Sequence, residues 1–167
     1  NASGPTVEKE DLEKLYIKLE HLTDGDILIL SGSMASGVDH NFYADVMKYL
    51  EGRKIRIVVD AVGSILKTVL PYHPYLIKPN QHELSEIFGQ KILENQVEEY
   101  ACKLVTMGAQ NVLVSLGENG AILVNKQVYR SIAPRGEILN YVGAGDSMIA
   151  AFLVSKLNGE SDQKDLE

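Results

Sequence analysis

A chain of 167 residues has room for one domain with a substantial core, and its 45% hydrophobic and 23% charged residues are an ordinary globular balance that excludes a disordered chain. A formal net charge of -7 without any basic run speaks against a nucleic-acid surface, so any anion must be held locally. No apolar stretch approaches the roughly 18–20 residues of a membrane span, no signal-peptide pattern opens the chain, and the single Cys102 excludes an internal disulfide; the expectation is a cytoplasmic protein without membrane association.

Leu12, Leu15, Tyr16, Leu19 and Leu22 recur at helical spacing and predict a helix over 8–21. Residues 27–30 form a continuous apolar run, read as a strand buried on both faces, and end in the loop residues Ser31, Gly32 and Ser33. Phe42, Tyr43, Val46, Met47 and Leu50 make a second helical stripe, and 55–59 is a β-branched strand ending at Asp60 and Ala61. A short helix over 64–70 breaks at Pro71 and Pro74, and a strand over 75–77 stops before Lys78, Pro79 and Asn80. Asn80 caps a helix carrying Leu84, Ile87 and Phe88, while Val97, Tyr100, Ala101, Leu104 and Val105 form a longer one ended by Gly108. Residues 112–116 read as a fourth buried strand, and 120–124 should pair with 128–132 as a hairpin around Asn125, Lys126 and Gln127. The last helix opens at Gly143 and Gly145, carries Ile149, Phe152, Leu153 and Leu157, and meets a stop at Gly159. This alternation predicts a single α/β domain with a mostly parallel sheet covered on both faces and a small antiparallel hairpin. Without an initial methionine, and with the polar run Ser161, Asp162, Gln163, Lys164, Asp165 near its end, the chain reads as part of something longer.

The run Gly143, Ala144, Gly145, Asp146, Ser147 is the most pointed motif. Two glycines permit close backbone approach, and the first amides of a helix, together with its dipole, attract an anion. A carboxylate beside a bound phosphate gains little there without a task, such as accepting a proton from an incoming hydroxyl, so Asp146 is a base candidate. The alternative is a plain helix start with an acidic first turn. Met148 stands where a dinucleotide fingerprint needs its third glycine, and no Gly-Lys-Ser/Thr follows, so the common cofactor motifs fail.

Asn80 and Glu83 have capping-box spacing, which recurs at Asn95 and Glu98, so spacing alone leaves capping and ligand binding both open. Lys78 with a carboxylate at a strand exit suits phosphate and Mg²⁺. Ser115, Leu116, Gly117, Glu118, Asn119 and Gly120 join a strand to the hairpin, where glycines also serve turns. His21, His40, His73 and His82 lack metal-ligand spacing. Because ligands of parallel sheets bind beyond the carboxyl ends of the strands, residues 31–33, 78–83, 115–120 and the glycine pair should share one rim.

In this order, Asn1 with Gly4 and Pro5, Ser31-Gly32-Ser33 with Gly37, Lys78-Pro79-Asn80 with Glu83, Ser115-Leu116-Gly117 with Gly120-Ala121, and Gly143-Ala144-Gly145-Asp146-Ser147 resemble the PfkB group of ribokinase-like sugar kinases over essentially the whole chain. The start and the Ser-Gly-Ser loop look like the phosphosugar branch, 1-phosphofructokinase and tagatose-6-phosphate kinase. The resemblance implies a three-layer α/β/α fold, truncated to a single partial domain over 1–167 that represents the C-terminal, nucleotide-binding and catalytic portion. It implies ATP and Mg²⁺ as cofactors and a small sugar phosphate as partner, fructose 1-phosphate or tagatose 6-phosphate. It also implies roles: Asp146 as base beside an anion hole of Gly143, Ala144 and Gly145; Lys78, Asn80, Ser115, Leu116, Gly117, Glu118, Asn119, Gly120 and Gly145 at the nucleotide; Asn80 and Glu83 at the metal; Ser31, Gly32 and Asp146 at the sugar. Tyr141, in place of a small hydroxyl residue, and Met34-Ala35-Ser36, in place of Leu-Pro-x, depart from the family pattern on the substrate side. A non-catalytic nucleotide- or sugar-binding module is the alternative.

Overall fold

The computed structural model describes residues 6–133 and 143–159. Asn1, Gly4, Pro5 and Tyr141 therefore lie outside the described residues. Six strands follow one another across a single sheet in chain order: β1 (Ile27–Ser31), β2 (Arg56–Asp60), β3 (Leu76–Ile77), β4 (Val112–Ser115), β5 (Ala121–Val124) and β6 (Val128–Ser131). The first four are parallel, with Ser31 opposite Asp60 and Ile77 opposite Val112, and β4, β5 and β6 are antiparallel.

The helices are α1 (Lys9–Glu20), α2 (Phe42–Tyr49), α3 (Gly63–Val69), α4 (Gln81–Phe88), α5 (Val97–Thr106) and α6 (Ala144–Leu157). Strand alternation sends successive side chains to opposite faces. Ile57, Val59, Ile77, Val112 and Val114 accordingly pack in one core with residues of α2 to α5. Val58, Leu76, Leu113 and Leu123 pack on the other face with Ile149, Phe152 and Leu153 of α6. The result is helix, sheet, helix, as the strand and helix alternation requires. No described helix is long and apolar enough to cross a membrane.

One expectation fails at β1. Its continuous apolar run suggests burial on both faces, but Ile29 is 49% exposed and the strand lies at the sheet edge. The cause is the second layer: among the described residues α6 alone supplies it, and its cluster takes in only the partly buried Ile27 of β1, at the strand's start, which leaves Ile29 uncovered. Cys102, most simply read as a small buried hydrophobe, is exposed on α5.

The hairpin has one strict requirement. Gly120 ends the 3-10 turn that leads from β4 into β5, with φ 89° and ψ -133°, a backbone region open essentially to glycine, and an added Cβ would stand 1.9 Å from the Ser131 carbonyl oxygen of β6. Gly120→Ala is expected to cost at least about 2 kcal/mol in urea unfolding, with the loss centred on β5 and β6. A change within error would mean that the turn relaxes freely.

Candidate functional site

The rim is assembled by a chain of contacts at the carboxyl ends of the strands. β1 and β2 end in register, and the Gly32 amide donates to the Asp60 carbonyl at 2.9 Å. The Asp60 carboxylate, 18% exposed, pairs with Lys78 Nζ at 3.2 Å. Lys78 follows the two-residue strand β3 directly, which fixes where its side chain leaves the sheet. Two residues on, Asn80 forms a parallel bridge with Ser115 at the end of β4, and the Ser115 amide donates to the Pro79 carbonyl at 3.2 Å.

The last link crosses to α6. A Cβ built on Gly145 would stand 2.8 Å from Lys78 Nζ and 3.1 Å from its Cε, so the buried lysine tip rests against the glycine. Gly143 is the N-cap at φ 79°, with no side chain capping the helix. The first acceptor used is its carbonyl, which takes the Ser147 amide and hydroxyl at 2.9 Å each. The amides of Ala144, Gly145 and Asp146 therefore have no acceptor among the described residues, the state expected of an anion-binding helix start. Asp146 is exposed beside them.

Asn80 and Glu83 form a true capping box. Asn80 Oδ1 accepts from the Glu83 amide at 2.9 Å and Glu83 Oε2 from the Asn80 amide at 2.9 Å. Asn95 does not repeat it, because α5 is capped at Gln96 without a side-chain bond. Glu83 is half-buried, and loss of solvation pushes its carboxyl above the usual range; the Asn80 amide and Lys78 ammonium oppose this, while the Asp60 and Glu86 carboxylates add to it. The folded state thus holds this proton more tightly than the unfolded state, whose value is near 4.5. Stability from this group is full at low pH and is lost as pH rises from 4.5 through the raised folded value. Glu83→Gln keeps the cap and removes the proton, so in urea titrations across the acidic range the wild type should lose stability relative to the variant as pH rises. Parallel curves would refute the assignment.

The 115–120 segment is a 3-10 turn over Gly117–Asn119, closed by the Leu116 amide on the Gly120 carbonyl at 2.8 Å. Glu118 is exposed, Leu116 packs toward the core, and Gly117 at φ 59° faces open space where a Cβ would meet nothing. Asn119 is held by Glu94 at 2.9 Å. Ser31 and Gly32 stand exposed at the β1 end.

The structure brings Ser31, Gly32, Lys78, Asn80, Glu83, Ser115 and Gly145 into this continuous chain, with Asp146 next to Gly145. It adds Asp60, which the sequence reading took only as the end of a strand. Its one local signal is a charged residue at a strand exit, a position that it shares with Lys78. No group of three or more His, Cys, Asp or Glu that could hold a metal exists among the described residues. Two carboxylates, Asp60 and Glu83, against one ammonium nevertheless leave excess negative charge. That set fits Mg²⁺, which takes one or two carboxylates, waters and phosphate oxygens rather than a preformed cage.

A mostly parallel sheet flanked by helices defines an α/β protein, and the open helix start, buried lysine and carboxylate on one rim are an arrangement that suits a phosphate. The sequence model of the pfkB family carbohydrate kinases matches residues 1–167, and the chain belongs to that family. It is 40% identical over 171 residues to 1-phosphofructokinase of Bacillus subtilis (strain 168), covering 100% of this chain and 54% of the relative. It is 33% identical over 153 residues to D-tagatose-1-phosphate kinase of Bacillus licheniformis, covering 90% and 50%. The crystal structure of phosphofructokinase-2 from Escherichia coli in complex with substrates and products superposes with a TM-score of 0.93 at 28% identity, over 99% of this chain and 55% of that one. The chain thus spans about half the length of the relatives it matches.

Proposed function

We propose that residues 1–167 are the nucleotide-binding and catalytic portion of an ATP-dependent sugar-phosphate kinase acting on a ketohexose 1-phosphate, foremost fructose 1-phosphate, in the cytoplasm. One observation carries the reading: the Lys78 ammonium, braced by Asp60, lies against Gly145 at the uncapped start of α6, one residue from an exposed carboxylate.

The chemistry follows from that placement. The γ-phosphate rests on the amides around Gly145 with Lys78 beneath, and the acceptor hydroxyl is directed at it from the Asp146 side. The hydroxyl oxygen bonds to the γ-phosphorus as the bond to the β–γ bridging oxygen breaks, ADP leaves, and Asp146 takes the hydroxyl proton. Donors fixed before the reaction stabilise the charge as it shifts onto the phosphoryl oxygens. Glu83 and Asp60, through waters, are the residues that would hold Mg²⁺, with Asn80 beside them; the bound ion would screen charge on the phosphates. Asn80, Ser115 and the 116–120 turn are assigned to the nucleotide, and Ser31 and Gly32 to the sugar.

The names of the two Bacillus relatives support a 1-phosphate acceptor, which favours fructose 1-phosphate over tagatose 6-phosphate and introduces tagatose 1-phosphate as a competitor. A coupled ADP-release assay on the full-length protein, with these three sugars in parallel, tests the proposal. The expected result is sugar-dependent ADP release, fastest with fructose 1-phosphate. Nucleotide binding without sugar-dependent turnover would establish the non-catalytic alternative.

A further inference from the structure

We propose that Tyr43 is a positioning residue for the acceptor site, its hydroxyl latching the 31–33 loop to α2. The inference rests on the assignment of Ser31 and Gly32 to the sugar side. Tyr43 sits within the first turn of α2 and is 8% exposed, with its ring in the core beside Phe42. Its hydroxyl lies 2.8 Å from the Ser31 carbonyl oxygen and 3.4 Å from that of Gly32. A phenol has one hydrogen to give, so the Ser31 carbonyl is the main acceptor and Gly32 the secondary one.

The consequence is directional. In a trans peptide the carbonyl and the following amide point opposite ways, so drawing these two carbonyls toward α2 turns the next two amides away from it. The Gly32 amide is then spent on the Asp60 carbonyl, whereas the Ser33 amide has no backbone acceptor among the described residues. Gly32, at φ 98°, supplies the bend that a side chain would resist. The loop is exposed at Ser31, Gly32 and Ser33, and the buried phenol anchors it from the α2 side as the Gly32 amide anchors it to β2. Burial and the nearby Asp60 charge both push the phenol pKa up, which keeps the hydroxyl a donor.

Packing alone does not call for a hydroxyl here, since phenylalanine fills the same core volume. The test therefore removes one oxygen. Steady-state kinetics of the full-length Tyr43→Phe variant should raise KM for fructose 1-phosphate roughly 3- to 10-fold, the range one neutral hydrogen bond supplies, while KM for ATP and the melting temperature stay near wild type. Amide hydrogen exchange at Gly32 and Ser33 should quicken in the same variant. An unchanged KM for the sugar phosphate, or a parallel rise in both KM values, overturns the proposal by reducing Tyr43 to a structural role. If wild type fails to turn over any ketohexose phosphate, the functional reading falls on its own. Exchange then decides the latch, and unaltered rates at Gly32 and Ser33 overturn it.

Discussion

Asp146→Asn in the full-length protein is expected to lower turnover by about 10²–10⁴, the usual contribution of a general base, while ATP affinity is kept. Asparagine has the same shape but cannot accept the hydroxyl proton as a carboxylate does. Asp146 lies in the first turn of α6, so its charge also favours the helix dipole, and losing that costs only about 0.3–1 kcal/mol. Against a bound phosphate the carboxylate is repulsive, and its removal leaves the open amides and Lys78 in place for ATP. Single-turnover kinetics paired with calorimetric ATP titration separates the two effects. Turnover within a few-fold of wild type would end the base assignment.

Gly145→Val should act on the opposite term, weakening ATP binding by roughly 10- to 100-fold, as expected when a charge-assisted contact is lost. The Cβ alone would stand 2.8 Å from Lys78 Nζ, closer than any real contact. Lys78 is 8% exposed and ion-paired with Asp60, so moving it means unpairing a buried ammonium, and keeping it means shifting the first turn of α6. Either response displaces donors from the anion position. Gly145→Ala, which presents only the Cβ, should fall between wild type and valine. Calorimetric titration with ATP that gave an unchanged affinity for the valine variant would remove the anion-hole reading.

Most elements were legible because their signals are local. The helical stripe at Phe42, Tyr43, Val46 and Met47, the β-branched run ending at Asp60 and the helix-ending glycine at Gly108 all fix conformation within a few residues, and the helix and strand bounds differ from expectation by only one or two positions. The capping box at Asn80 and Glu83 was legible as spacing but not as a fact, since Asn95 and Glu98 share the spacing and do not cap. Only hydrogen-bond geometry separates the two. Asp60 was visible only as a charged strand end, and nothing local marked it as the partner of Lys78, which follows the next strand, across a helix.

The residue pattern by itself determined the alternation of strands and helices, and hence a parallel sheet with its polar strand exits on one side, because periodicity and turn chemistry act over short stretches. It also placed Asp146 at a helix start. The tertiary structure decided which exits touch: sequential strand order put Asp60, Lys78 and Asn80 on neighbouring strand ends, and the packing of α6 on the face of Val58, Leu76 and Leu113 carried Gly145 to the tip of Lys78. That meeting joins groups 67 positions apart in the chain, held by burial and one ion pair, and no local pattern encodes a distance of that kind.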